Sequence, residues 1–209
     1  RSCVAEWDGF DAGTLRQRLR VPRVDLHAAL GSTQDVAHEL AEGGAEAGTV
    51  VLADAQRLGR GRMGRHWSSE PGQGVWCTVI ERPGDLKALD FLSLRVGLQL
   101  AERLDAFAND AVRLKWPNDL LIDGAKVAGI LVEARWSGGS PAWAAIGVGV
   151  NVPAPGVPAA TGLPDGVSRV EVLAAVVSAA RQAGRSAGWL TDDELTRYNA
   201  RDVLRGRRL

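Results

Sequence analysis

The 209-residue chain has no net charge, because its 25 basic lysines and arginines are matched by 25 acidic residues. Whole-protein attraction to nucleic acid is therefore excluded as a driving force, and any basic function must be local. Cysteine is nearly missing. Cys3 and Cys77 alone cannot form a disulfide framework, and Cys77 lies in an apolar stretch that suits a reduced, packed thiol. There is no secretory leader pattern and no apolar run long enough to span a bilayer. The small apolar run from Ala174 to Ala180 is far too short and reads as a core helix. A cytoplasmic protein with no membrane partner is expected. Low-complexity stretches and internal repeats are absent too, so the chain has length for one substantial core and at most a small appendage. Lysine is scarce beside arginine, a compositional bias without functional content.

What is present is concentrated between Gly59 and Trp67, which reads Gly-Arg-Gly-Arg-Met-Gly-Arg-His-Trp. Arg57, Arg60, Arg62 and Arg65 are interleaved with glycines, and an indole follows. Glycine lets a backbone approach a ligand closely and turn its N–H groups into one concavity. Arginine supplies forked donors for carboxylate and phosphate, and tryptophan a flat face for a base or apolar ring. Three readings fit the run alone: a cradle for a small anion carrying an adenine, an RNA-type basic segment, or a solvated loop. Its flanks favour the first. Thr49–Ala55 and Val75–Ile80 both read as short buried strands, and a loop strung between buried strands is held by a scaffold. No Gly-Lys-Ser/Thr follows, and no helix starts directly after the glycines, so neither a Walker loop nor a Rossmann fingerprint is present.

Around this loop the pattern predicts a helix capped by Ser32 or Thr33 and another from Leu92 to Phe107. A strand over Val112–Trp116 is stopped by Pro117. A hairpin over 118–133 turns at Asp123-Gly124, a strand covers Trp143–Val152, and a helix begins near Val170. Pro153–Gly166 reads as a surface loop. The fold class expected is α+β, a mixed, largely antiparallel central sheet with helices packed on it, placed on one face.

Lys115-Trp-Pro-Asn-Asp is the second unusual run. Asn118 and Asp119 suit metal or polar-ligand contacts, yet Asn-Asp after proline is also ordinary turn chemistry. Lys126, just past the hairpin turn, is either a solvated edge charge or a catalytic ammonium.

Gly31-Ser-Thr-Gln, Gln56, the Gly59–Trp67 run, Lys115-Trp-Pro-Asn-Asp, Lys126-Val-Ala-Gly-Ile-Leu-Val-Glu and Gly147-Val-Gly-Val-Asn occur in one order and spacing. In this the chain resembles the biotin–protein ligases, closely over about residues 25 to 155 and loosely elsewhere. The resemblance implies a class II synthetase-like fold and a two-step reaction with ATP, Mg²⁺ and biotin. Biotinyl-5′-adenylate forms first, and a lysine of a biotin carboxyl carrier protein domain then takes the biotinyl group. It implies that Arg60 and Arg62 bind the biotin carboxylate and the phosphate, and that Lys126 stabilises charge on the reacting oxygens. Ser32, Thr33, Gln34 and Gln56 match positions that hydrogen-bond the ureido ring. Trp67 matches the adenine-stacking position and Asn151 one on the adenine side, while Gly61 and Gly129 fall in the matched binding motifs. Asp119 matches an acidic position that helps hold Mg²⁺.

Three departures shape the expectations. Gln34 stands where the family usually has Asn, which alters the reach of one ureido contact. The residues before Gly31 are too few for a winged-helix domain, so a ligase without DNA binding is expected. The catalytic domain is expected over 1–195, with 196–209 resembling the opening of a small C-terminal domain that is cut short. Members of the family are monomers in some cases and homodimers paired through their sheets in others. The rivals are a lipoate or octanoyl transferase, which shares the fold class, and a nucleic-acid module using the basic loop.

Overall fold

The computed structural model describes residues 6–206; Cys3 and the last three residues of the expected C-terminal segment lie outside that range. Two short strands, β1 (Glu6–Trp7) and β2 (Phe10–Asp11), pair across an Asp8-Gly9 turn with both φ values positive, the geometry that glycine and aspartate tolerate. Asp11 then caps α1 (Ala12–Leu19) by accepting from the Thr14 amide at 2.7 Å. Strand β3 (Val24–Leu30), helix α2 (Thr33–Glu42) and strand β4 (Val50–Gln56) form a crossover unit, which makes β3 and β4 parallel. Every later pairing in the main sheet is antiparallel.

Next come β5 (Gly74–Glu81), the short α3 (Leu86–Asp90), α4 (Leu92–Leu104), β6 (Arg113–Lys115) and β7 (Asp119–Ile122). They are followed by β8 (Ala125–Ser137), β9 (Ser140–Asn151), α5 (Arg169–Gly184) and α6 (Asp192–Arg201). The sheet runs β3-β4-β5-β9-β8-β7-β6. The hairpin turn at Asp123-Gly124 is where the sequence placed it, and both residues have positive φ. The α4 helix stops at Leu104, short of the expected Phe107. There the Asp105 carboxylate turns outward to take the Val112 amide and the Arg201 guanidinium.

Side-chain alternation divides the sheet into two faces. Val50, Leu52, Val75, Cys77, Val79, Ile146, Val148 and Val150 enter the larger core with α1, α4 and α5. Val51, Ala53, Ile80 and Ala145 enter a smaller one against Ala37 and Ala41 of α2. The expectation of helices on one face is therefore corrected: α2 lies on the opposite face. Strand β5 is buried at all eight positions, so its sequence carries no sidedness from which that placement could be read. Among the described residues, no helix is long and apolar enough to cross a membrane.

The segment from residue 196, expected to resemble the opening of a small C-terminal domain, is helical to Arg201, so the expected division at 195/196 falls inside α6. A capping box opens that helix, with Thr191 and Glu194 satisfying each other's backbone amides. Polar contacts dock it on α4. Arg95, 2 % exposed, donates to Glu194 Oε1 at 2.9 Å and to the carbonyls of Gly188 and Trp189.

Removing the guanidinium strands the partners of a buried pair. Arg95→Met is expected to lose about 3–5 kcal/mol in urea denaturation while the far-ultraviolet spectrum of the folded protein is kept. The Arg95 hydrogen bond holds the Glu194 carboxyl below the usual carboxylate range. Its contribution is therefore complete at neutral pH and fades as pH falls through that lowered value. The stability loss in Arg95→Met should accordingly shrink in acid.

Candidate active site

On the face that α2 only partly covers, the sheet encloses a cavity of about 450 Å³. Its walls are the start of α2, the Gly59–Trp67 loop, the turn between β6 and β7, and the facing strands β8 and β9. The floor is made by missing side chains. Gly129, Gly147 and Gly149 alternate with core residues on β8 and β9, and each leaves its place to a neighbour. A Cβ on Gly149 would stand 2.6 Å from Trp67 Cε2, and one on Gly129 2.9 Å from Trp67 Cζ3, so the indole lies directly on two glycines. A Cβ on Gly147 would meet the Gln34 amide carbon at 3.1 Å.

The loop is a closed turn rather than a free arm. Trp67 N–H donates to the Gly59 carbonyl at 2.8 Å and Gly61 N–H to the Arg65 carbonyl at 2.7 Å, with Arg60 and His66 bridged between them. A side chain at Gly59 would collide with the Trp67 carbonyl, and Met63 takes positive φ at the exposed tip. A hydrogen-bonded chain fastens this loop to α2. Thr78 Oγ1 donates to Thr33 Oγ1 at 2.8 Å, the Thr33 amide to Gln56 Oε1 at 2.8 Å, and Gln56 Nε2 to Ser69 Oγ at 2.8 Å. Gln56 thus spends both ends of its amide on the scaffold. Ser32 caps α2 through the Gln34 amide.

Two buried polar atoms of residues lining this space have no partner among the described residues: Gln34 Oε1, an acceptor, and Trp67 Nε1, a donor lying over Gly149. Each such group costs about 1–3 kcal/mol when it stays unsatisfied, so both ask for a ligand. Charge gathers near the mouth. Lys126 Nζ is 2.6 Å from Asp119 Oδ1 and stands 5.0 Å over the Trp67 ring. Arg60 reaches Asp35 at 2.7 Å and Glu133 at 3.6 Å, whereas Arg62 has no carboxylate partner among the described residues. One end of the cavity therefore offers an amide acceptor and the other offers cations.

Of the residues singled out in the sequence, Ser32, Thr33, Gln34, Gln56, Arg60, Gly61, Arg62, Trp67, Asp119, Lys126 and Gly129 all line the cavity. Asn151 does not. It is buried at the end of β9, two residues beyond Gly149 on the same face, where Nδ2 donates to the Thr161 and Lys126 carbonyls and pins the 153–166 loop against the start of β8. Asp119 is the one carboxylate in the lining, and the described residues contain no cluster of three or more potential metal ligands. Sequence reasoning missed Ser69 and Thr78, the clasp of the loop, which are ordinary hydroxyl residues without a motif. The alternate glycines of Gly147-Val-Gly did carry a signal, since glycine inside a strand marks close approach by another group.

Comparison with known proteins comes from three directions. Residues 27–151 match the Biotin/lipoate A/B protein ligase family. The bifunctional ligase/repressor BirA of Bacillus subtilis is 42 % identical over 127 residues, covering 60 % of this chain and 39 % of that protein. The biotin–[acetyl-CoA-carboxylase] ligase of Paracoccus denitrificans is 42 % identical over 104 residues, covering 49 % of this chain and 43 % of its own length. The chain thus spans about two-fifths of the curated relatives it matches. Among solved structures, the biotin protein ligase of Aquifex aeolicus in complex with biotin and ATP superposes with a TM-score of 0.63 at 30 % identity, over 78 % of this chain and 70 % of that one.

The glycine bed is testable without any ligand. Gly149→Ala is expected to unseat the Trp67 indole at a cost of about 1–3 kcal/mol. Near-ultraviolet circular dichroism should change while the far-ultraviolet spectrum does not; an unchanged indole signal would show that the ring does not depend on that bed.

Proposed function

The chain belongs to the biotin/lipoate A/B protein ligase family, and from that footing we propose that it is a biotin–[acetyl-CoA-carboxylase] ligase. It would activate biotin with ATP as biotinyl-5′-AMP and pass the biotinyl group to one lysine of a biotin carboxyl carrier protein domain. The observation that carries this reading is the polarity of the cavity: a buried, unpaired Gln34 Oε1 in the floor and cations at the mouth. Biotin has the matching ends, ureido N–H donors and a carboxylate. A lipoyl dithiolane has no N–H to give, and would leave Gln34 unsatisfied.

In the first step a biotin carboxylate oxygen bonds to the α-phosphorus of ATP, and the bond from that phosphorus to the β-phosphate oxygen breaks. Two anions must meet for this to happen. Arg62, without a carboxylate partner among the described residues, and Lys126 supply the positive charge that offsets their repulsion and the charge growing on the oxygens. Asp119 holds the Lys126 ammonium in place from one side. The face of Trp67 turned away from the glycines is the surface left for adenine. In the second step the carrier lysine's amine attacks the acyl carbon, loses a proton, and AMP leaves with the C–O electron pair. Until then the Gly59–Trp67 loop shields the anhydride from water.

Mg²⁺ fits as an ion shared with the substrate rather than caged by protein. It commonly needs only one or two carboxylates beside phosphate oxygens and water, and Asp119 supplies one. Bound there it would neutralise phosphate charge. Ser32, Thr33 and Gln56 shape the ureido end, Gly61 gives the loop backbone close access to the ligand, Gly129 seats the Trp67 indole, and Asn151 braces the adenine side through the Lys126 and Thr161 carbonyls.

With ATP, Mg²⁺ and biotin, the protein should form biotinyl-adenylate and label a carrier domain; well-folded protein that forms none would refute the reading. Lys126→Met is expected to slow adenylate formation by about 10²–10³-fold. Gln34→Leu separates binding from folding: stability should stay within about 1 kcal/mol of the parent, because the unsatisfied Oε1 is removed together with two long Nε2 hydrogen bonds, to the Leu131 carbonyl at 3.3 Å and the Ala145 carbonyl at 3.5 Å, while biotin binding weakens at least about tenfold by calorimetry.

A further inference from the structure

Behind the arginine loop, outside the cavity, a polar chain runs from the far part of β9 to the base of the loop. Trp143 Nε1 lies 2.9 Å from His38 Nδ1, His38 Nε2 lies 2.9 Å from Glu133 Oε2, and the same Oε2 lies 3.6 Å from Arg60 Nη2. Asp35 Oδ1 takes the other arm of Arg60 at 2.7 Å. Glu133, His38 and Trp143 are not part of the cavity lining.

The chain has a direction set by its first member. An indole N–H can only donate, so His38 Nδ1 must accept. The imidazole proton is then on Nε2, where it can only donate to Glu133. One carboxylate oxygen is thereby fixed by a ring that is itself fixed, and is aimed at Arg60. The two carboxylates holding Arg60 differ in kind. Asp35 is half exposed on the first turn of α2, whereas Glu133 rises from a strand in the middle of the sheet, with its side chain 28 % exposed.

We infer that Glu133, oriented by His38 and Trp143, is a positioning residue that sets the Arg60 guanidinium and, through it, the closure of the Gly59–Trp67 loop over the adenylate. The effect on the adenylate rests on the ligase reading above; the effect on the loop does not. Arg60 begins the turn, bridged to His66, so fixing its side chain fixes the hinge end of the loop. Arg62 at the tip is left to meet the ligand.

Two measurements decide this. Without ligand, trypsin cleavage after Arg60 is followed by mass spectrometry. Glu133→Gln is expected to raise that rate about threefold to fivefold, the span a partly exposed ion pair allows, with cleavage after Arg18 unchanged. His38→Leu should match it, and His38→Gln, which can still donate to Glu133, should restore the parent rate. An unchanged rate after Arg60 in Glu133→Gln overturns the proposal. If Glu133→Gln fails to fold, Trp143→Phe, which deletes only the indole donor, is expected to show the same change at smaller size, and no change there overturns it equally. With ligand, release of biotinyl-adenylate should be about threefold to fivefold faster in Glu133→Gln. In an Arg60→Ala background the same substitution should add nothing, and additive effects would show that Glu133 acts independently of Arg60. A parent protein that makes no adenylate would refute the ligase reading while the cleavage result still decides the positioning role.

Discussion

The indole of Trp67 rests on a sheet face from which Gly129 and Gly149 have removed the side chains, and most of the site follows from that seat. The central strands of the seven-stranded sheet are packed closely enough to leave no natural room for a ligand against them. Here the room is opened by glycine at alternate positions of two neighbouring strands, while the residues between them still fill the larger core. The aromatic ring then roofs part of that opening, and the loop leading to it is drawn down onto the sheet by its carbonyl and hydroxyl contacts. Packing on one face and vacancy on the other are thus two aspects of one alternation.

Charge is distributed with a comparable division of roles. Clustered cations repel one another, and a loop carrying three arginines would spread into solvent if none were paired. Arg60 is paired with Asp35 and Glu133 at the base, and Lys126 with Asp119 across the turn from β7, so those two act from defined positions. Arg62 keeps its charge for an incoming anion. A site for two anionic substrates needs both kinds: anchored charge that holds geometry and free charge that supplies attraction.

Much of this is legible in the sequence, for physical reasons that differ from element to element. The loop declares itself because glycine and arginine together are uncommon between two buried strands. The hairpin declares itself because Asp123-Gly124 suits a turn of positive φ. The side of the sheet that α2 covers does not, since Val50 to Ala53 and all of β5 are buried on both faces. The helical run through Tyr198 was hidden by its polarity, because α6 buries none of its residues fully and is held by ion pairs such as Arg197 to Glu102. Its capping box, Thr191 with Glu194, was the readable sign. Asn151 belongs to the matched motif, yet its amide is spent on the Lys126 and Thr161 carbonyls beside the cavity, partners that spacing does not reveal. Glu133 and His38 stand 95 residues apart in sequence, so only folding shows that they meet.

One feature of β8 reaches beyond the chemistry. Gly129, Leu131 and Glu133 point to the same side in succession, the first under the indole and the last under Arg60. A strand advances about 3.3 Å per residue and changes face at every step. The distance between the ligand floor and the loop's anchor is therefore counted out by the backbone itself. A single residue inserted or deleted between Gly129 and Glu133 would turn one of them away while leaving the other in place, so this stretch is intolerant of length change. The Gly138-Gly139 tip of the same hairpin, beyond both contacts, is where the chain can be lengthened, shortened or joined to another domain without disturbing the count.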